Sequence, residues 1–404
     1  MKTEKVTNKN TATTTNSALR FEWSSLPEIA FFQDGPGAQL QHVYLYDEIS
    51  AKSIHKLKVR LDELSVSAVD PVSGVHVSPR PIVIHINSTG GDVFAGMTMM
   101  SLFNEVSVPM CTLVDGMSYS AATFLSVIAP YRVMTPMATA LIHDWSGILE
   151  GKADTIRADI SQAENAINHI RQMYLHRTRL GPSKLDELMH RNIVLSANQC
   201  LDLGMCERVL KLKQSSNGKK IKMLEVMRTT ILNHVRINYF DEDEKNIIVL
   251  ASQQLDKMLG SAIARSAMLN GVVFHVDGGH GLSNIGAHVA SISARVQALG
   301  CVTATYGIID TSINLINLLP ILHCRWRVMY MHASVRMHVA FDYVTEEIQI
   351  RDLVYNTNAA LNAVRAILRD RTRMPTNLIN NIDMSTQILS AKDCLRWGIV
   401  DELI

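Results

Sequence analysis

The chain has 404 residues, 47% of them hydrophobic, with 39 Lys+Arg against 38 Asp+Glu. That is enough apolar material for two or three packed domains and too much for a disordered chain. A formal charge of +1 argues against a protein built to coat nucleic acid or an anionic membrane. Residues 1–20 open on MKTEKVTNKNTATTTNS, which has no apolar core for export and reads as a disordered polar tail. Downstream, Val43–Tyr46, Ile82–Ile86, Met110–Val114 and Arg132–Met134 read as short strands. Ala51–Leu64, Phe94–Asn104 and Ala121–Ile128 read as helices between them. This alternation predicts an α/β unit with a largely parallel, buried sheet.

Three segments of that unit carry chemistry. Asn87-Ser88-Thr89-Gly90-Gly91-Asp92 follows a strand and precedes a helix, and its paired glycines let backbone N–H groups point into a cleft. Gly-Gly turns are common, so this segment alone decides nothing. Gly116-Met117-Ser118-Tyr119-Ser120-Ala121-Ala122 is a small-residue strand-to-helix transition. A serine there is either a nucleophile beside free N–H groups or an N-cap, a role open to both Ser118 and Ser120. Leu141-Ile142-His143-Asp144-Trp145 ends an apolar run in a histidine, which by itself is more often structural. Taken together the three supply amide donors, a nucleophile and a base.

A long helix follows. Ile156, Ile160, Ala163, Ile167, Ile170 and Tyr174 make a seam of period 3.5, suited to helix-on-helix packing in an assembly, with packing on its own domain as the alternative. The charged flanks Arg157, Asp159, Glu164 and Arg171 favour the assembly. Lys211–Lys222 (KLKQSSNGKKIK) reads as a solvated linker at 211–222 rather than a polybasic binding patch.

Beyond it the sequence repeats itself. PIVIHINS at 81–88 returns as GVVFHVDG at 271–278, and Leu195-Ser196-Ala197…Gly204 returns as Leu389-Ser390-Ala391…Gly398. Cys200 matches Cys394, Gly116 matches Gly307, and His143 matches His332. The helical seam recurs as Ile350, Val354, Thr357, Leu361, Val364 and Leu368. These near-constant offsets predict a tandem duplication, with one unit at 21–210 and a second at 223–404.

The first unit resembles the ClpP proteolytic subunits of the Clp proteases over roughly 40–210. IHINSTGGDVFAGM at 84–97, GMSYSAATFL at 116–125, Leu141-Ile142-His143 and Val194-Leu195-Ser196-Ala197…Gly204 match four motifs of that family in order. The wording Gly-Gly-Asp-Val-Phe-Ala-Gly and the cysteine in the tail look most like its viral and phage members. The resemblance implies Ser120 as nucleophile, His143 as general base and the N–H groups of Gly91 and Ala121 as oxyanion hole. It also implies a protruding handle helix at 152–178, homo-oligomeric stacked rings around a chamber, a polypeptide substrate and an AAA+ unfoldase partner. The family's Asp falls here on Asn192. An amide oxygen can still orient an imidazole but carries no charge, so weak serine peptidase activity is expected. Asp144 and Asp186 are candidate substitute carboxylates, Asp144 disfavoured because its side chain should point away from that of His143.

In the second unit the nucleophile position falls on Thr311, with Ser312 beside it; His280 replaces the first glycine, Gly281 is kept and Thr386 takes the acid position. An inactive unit kept for assembly is the expectation. No cofactor is expected: there is no Gly-x₄-Gly-Lys-Ser/Thr loop, and His275, His280, His288, His323, Cys324, His332 and His338 lack ligand spacing. Six cysteines without a CxxC pair fit a reducing compartment, so a soluble cytoplasmic protein without disulfides is expected. Positions 303–326 come nearest to a membrane span, but Asp310, Asn314, Asn317 and Pro320 interrupt them. Competing readings are an inactive ClpP-like structural or regulatory ring subunit, a crotonase-type acyl-CoA enzyme and a tandem signal-peptide peptidase. The Ser120 and His143 pair and the missing anchor argue against the last two.

Overall fold

A computed structural model describes residues 21–33, 38–69, 76–144, 152–211, 233–237, 272–276, 285–337, 350–382 and 387–404. The predicted tail at 1–20 and all of the predicted linker but Lys211 lie outside them. Two short 3-10 turns, Trp23–Ser25 and Glu28–Phe32, lead into the N-terminal half. Its elements are β1 (Gln41–Leu45), α1 (Ala51–Ser65), β2 (Ala68–Val69), β3 (His76–Val77), β4 (Ile82–Ser88), α2 (Val93–Glu105), β5 (Met110–Tyr119), α3 (Ala122–Ile128), β6 (Arg132–Met134) and β7 (Thr139–Leu141). It ends with α4 (Ala153–Arg177), α5 (Pro182–Met189), β8 (Val194–Ser196), α6 (Ala197–Asp202) and β9 (Arg208–Val209). The C-terminal half comprises β10 (Asn233–Ile237), β11 (Val272–Val276), α7 (Ile285–Gly300), β12 (Thr305–Ile309), β13 (Ile313–Asn314), α8 (Leu315–Leu322), β14 (Trp326–Met329) and β15 (Ser334–Arg336). After these come α9 (Ile350–Arg371), α10 (Thr376–Asn380), β16 (Ile388–Ser390), α11 (Ala391–Arg396) and β17 (Glu402–Leu403).

The predicted α/β class is what the chain adopts. β1-β4-β5-β6-β9 form one parallel sheet and β10-β11-β12-β14-β17 another of the same order. Each half adds an antiparallel pair beside its sheet, β7 with β8 and β15 with β16. Local detail repeats at an offset of 194. Ser196 and Ser390 both close capping boxes, with Gln199 and Asp393, and Gly204 and Gly398 both follow their helices with φ near 68° and 67°.

One face of the first sheet is covered by its own helices. Ile82, Ile84, Ile86 and Val114 pack there with Leu57 of α1, Met99 of α2 and Leu125 of α3. The other face is covered by the C-terminal half. Val83, Cys111 and Leu113 share a core with Phe31, Phe32 and with Val289, Ile292 and Val296 of α7. Burial on both faces is why the strands read as near-continuous apolar runs. The hydrophobic core joins residues from both sides of the expected division at 211–222.

A buried polar cluster sits in the shared layer. Arg295 of α7, 1% exposed, donates to Asp115 Oδ2 of β5 at 2.9 Å and to Ser291 Oγ at 2.8 Å. Tyr46 Oη donates to the same carboxylate oxygen at 2.6 Å, and His85 Nδ1 lies 3.0 Å from it. Burial would raise the Asp115 pKa, but the Arg295 guanidinium and these hydrogen bonds hold it below the ordinary range. Burial pushes His85 down and Tyr46 well up.

β5 is longer than predicted, continuing to Tyr119 instead of stopping at Val114. Its register against β4 shifts between Ile86↔Val114 and Ser88↔Ser118, and Asn87 Oδ1 accepts from Met117 N–H (3.1 Å) across the bulge. Beyond the bulge β7 takes over as a partner of β5. The long helix α4 splits its seam: Ile170 and Tyr174 are buried in the helix's own domain, whereas Ile160 is 43% exposed.

Candidate active site

The predicted turn, elbow and histidine segments meet. Ser120 leaves β5 with φ of 51°, and among the described residues it is the one non-glycine at positive φ. Holding a β-carbon there costs roughly 1–3 kcal/mol, and such strain collects at functional sites. Three contacts impose the bend. Ser120 N–H donates to Leu141 O at 2.8 Å, and its carbonyl accepts from Thr123 N–H (2.9 Å) and Thr123 Oγ1 (2.6 Å). The Thr123 hydroxyl in turn meets Tyr174 Oη of α4. Neither serine of this segment caps α3: its N-cap is Ala121 with no side-chain cap, and Ser118 Oγ bonds Ser126 Oγ inside the core.

The glycine turn lies directly against this bend. A Cβ on Gly90 would fall 2.6 Å from Ser120 Cβ and 2.6 Å from Tyr119 O, and one on Gly91 would overlap the Ile49 carbonyl. Their φ values of 96° and 143° also favour glycine. Gly90 O accepts from Ile49 N–H (2.7 Å) and Asp92 N–H donates to Ile49 O (2.9 Å), which pins the turn on both sides of Gly91. Among the described residues, neither Gly91 N–H nor Ala121 N–H has an acceptor. Asp92 caps α2 by accepting from Ala95 N–H.

His143 and Asn192 arrive on the antiparallel pair. β7 and β8 pair Thr139↔Ser196, Ala140↔Leu195 and Leu141↔Val194, a register that, carried two residues on, sets His143 opposite Asn192. Both side chains are half-buried. The same strand β7 is the one whose Leu141 holds Ser120, so a single edge brings all three residues to one region. Among the described residues no hydrogen bond joins the side chains of Ser120, His143 and Asn192. Contacts of this kind often lengthen without substrate.

Each of the two substitute carboxylates has another partner. Asp144 Oδ2 faces His190 Nδ1 at 2.5 Å, and Asp186 pairs with Arg171. A residue that sequence reasoning missed is Asn356 of α9, which holds the backbone at Asn192 and Val194; nothing in a helix seam of period 3.5 marks it.

The corresponding region of the C-terminal half is different. Ser312 Oγ bonds Ser334 Oγ at 2.8 Å, and His332 is exposed, its ring tilted against Tyr330. His280, Gly281 and Thr386 lie outside the described residues. Among the described residues no cluster of three His, Cys, Asp or Glu could hold a metal ion. His323 is buried beside Gln297, its pKa pushed down to about 3. No described helix is long and apolar enough to cross a membrane.

Comparison with known proteins places this region. The family model "Clp protease" matches residues 74–213. The chain is similar to the ATP-dependent Clp protease proteolytic subunit 1 of Protochlamydia amoebophila strain UWE25, with 26% identity over 135 residues. It is 29% identical over 135 residues to the proteins of the same name from Chlamydia trachomatis serovar D and Chlamydia muridarum. These matches cover 32% of this chain, 66% of the Protochlamydia protein and 70% of each Chlamydia protein. The chain thus spans just under two thirds of the length of the first of these relatives. The glycine turn, the bend at Ser120 and the β7/β8 edge all lie inside the matched stretch, and it is over residues 74–213 that the chain is similar to the Clp protease family.

Proposed function

We propose that the N-terminal half is a serine endopeptidase in which Ser120 is the nucleophile, His143 the general base and Asn192 the group that orients the imidazole. The forced bend at Ser120, pressed on the glycine turn and tied to the strand that leads to His143, is the observation that carries this reading. Ser120 Oγ attacks the peptide carbonyl carbon as its proton passes to His143. The oxyanion forms beside the N–H groups of Gly91 and Ala121. When the C–N bond breaks, His143 returns the proton to the leaving amine, and water then releases the acyl group by the same route.

An amide at 192 adds no charge to the imidazolium. Asn192→Asp is therefore expected to raise kcat for a small peptide ester, by up to about 10⁴-fold. Steady-state kinetics of the full chain would measure it, and an unchanged or lower kcat would remove Asn192 from the site. In this reading the C-terminal half is a degenerate duplicate kept for assembly. The chain then works on polypeptides as a cytoplasmic homo-oligomer of stacked rings, fed by an AAA+ unfoldase. Exposed Ile160 on α4 supports such a contact between copies.

A second reading is a catalytically inactive ring subunit. It is favoured by the amide at 192 and by the lack of a Ser120 to His143 hydrogen bond among the described residues. Treatment with a fluorophosphonate separates the two. Covalent labelling at Ser120, located by mass spectrometry, is the expected result; a folded chain that stays unlabelled would establish the inactive reading.

A further inference from the structure

We infer that Asn356, in the long helix of the C-terminal half, is a positioning residue for the candidate site of the N-terminal half. This rests on the peptidase reading above and deepens it. Asn356 is 2% exposed and reaches across from α9 to the edge of β8. Its Nδ2 donates to Asn192 O at 2.6 Å, and its Oδ1 accepts from Val194 N–H at 2.7 Å. The carbonyl of one strand residue and the N–H of the residue two further on point to the same side. One carboxamide therefore does here what a neighbouring strand would do, with one donor and one acceptor matched to both groups.

The site needs this because β8 is short. Its other edge is held by β7 over Thr139–Leu141, and that pairing ends before His143 and Asn192 are reached. Without Asn356 the backbone groups at 192 and 194 would lose their partners, and the segment opposite His143 would be free to shift. Tyr355 Oη accepts from Gln199 Nε2 at 2.9 Å, a second contact of the same helix with the segment after β8. A misplacement of about 1 Å in such a group costs on the order of 10²-fold in rate. The C-terminal half thus completes the site of the N-terminal half from within the same chain, whether or not its own site is active.

The test compares the full chain with Asn356→Ala, Asn356→Asp and Leu361→Ala. Leu361 is a buried core residue of the same helix that does not take part in the clamp. Asn356→Ala is expected to lower kcat for a peptide ester by about 10- to 100-fold with little change in KM. Asn356→Asp keeps the acceptor for Val194 N–H but sets a carboxylate against Asn192 O, so it should be slowed as well. It serves as the second variant if the alanine form does not fold. Leu361→Ala should lower the Tm while leaving kcat of the folded fraction unchanged. Wild-type kcat in folded Asn356→Ala or Asn356→Asp, with Ser120 still labelled by fluorophosphonate, would overturn the positioning role and leave the peptidase reading standing. Equal losses of kcat in Asn356→Ala and Leu361→Ala would overturn it too, as a general effect of stability. An unlabelled, inactive wild-type chain would overturn both.

Discussion

Ser120→Ala is expected to cut turnover of a peptide ester by roughly 10⁴- to 10⁶-fold while leaving the fold intact, because residues that act as one catalytic unit fail together. The argument for an intact fold is local. Ser120 Oγ makes no hydrogen bond among the described residues, and the contacts that hold the bend come from the backbone N–H and C=O. Alanine keeps both backbone groups and the β-carbon, so a stability change within about 1 kcal/mol is expected from denaturant unfolding. Ser120→Gly extends the test. It removes the β-carbon from a φ of 51° and should be more stable than Ser120→Ala by about 1 kcal/mol, while being equally inactive. Retention of wild-type turnover by Ser120→Ala would end the nucleophile assignment. A large loss of stability would instead show that the hydroxyl is structural.

The second large effect concerns the buried pair of Arg295 and Asp115, the latter only five residues upstream of the nucleophile in the chain. Arg295→Met is expected to destabilise the chain by roughly 3–5 kcal/mol, because it leaves Asp115 as an uncompensated buried charge. Tyr46 and His85 still contact that carboxylate, but burial works against a charge on His85 and Tyr46 offers only a hydroxyl. The double variant Arg295→Met with Asp115→Asn should recover most of the loss, since removing both charges removes the uncompensated one. Urea unfolding of the two single variants and the double variant measures the coupling. Because Arg295 lies in the C-terminal half and Asp115 in the N-terminal half, loss of the pair should also weaken the bond between the halves. A single-variant cost below about 1 kcal/mol would show that water reaches Asp115.

Several features were legible in the residues alone because they depend on neighbours in sequence. Short apolar runs marked the strands and a period of 3.5 the long helices, and β6 and α4 were placed to within a residue. The glycine turn and the small-residue elbow could be marked because turns and caps restrict residue type locally, while the choice of Ser120 over Ser118 and the role of His143 came from the family resemblance. The family resemblance was likewise carried by short motifs, all within 74–213.

What only the tertiary structure decided depends on pairs distant in the chain. The extension of β5 to Tyr119 needs β7 beside it, and the positive φ of Ser120 needs the Leu141 carbonyl and a glycine turn that leaves it room. The choice of Asp115 as partner for Arg295, and of Asn192 and Val194 as partners for Asn356, spans 180, 164 and 162 residues. No local propensity encodes such pairings. They form because an apolar sheet face must be covered, and whichever helix covers it brings its polar side chains along to satisfy the groups that burial has cut off from water.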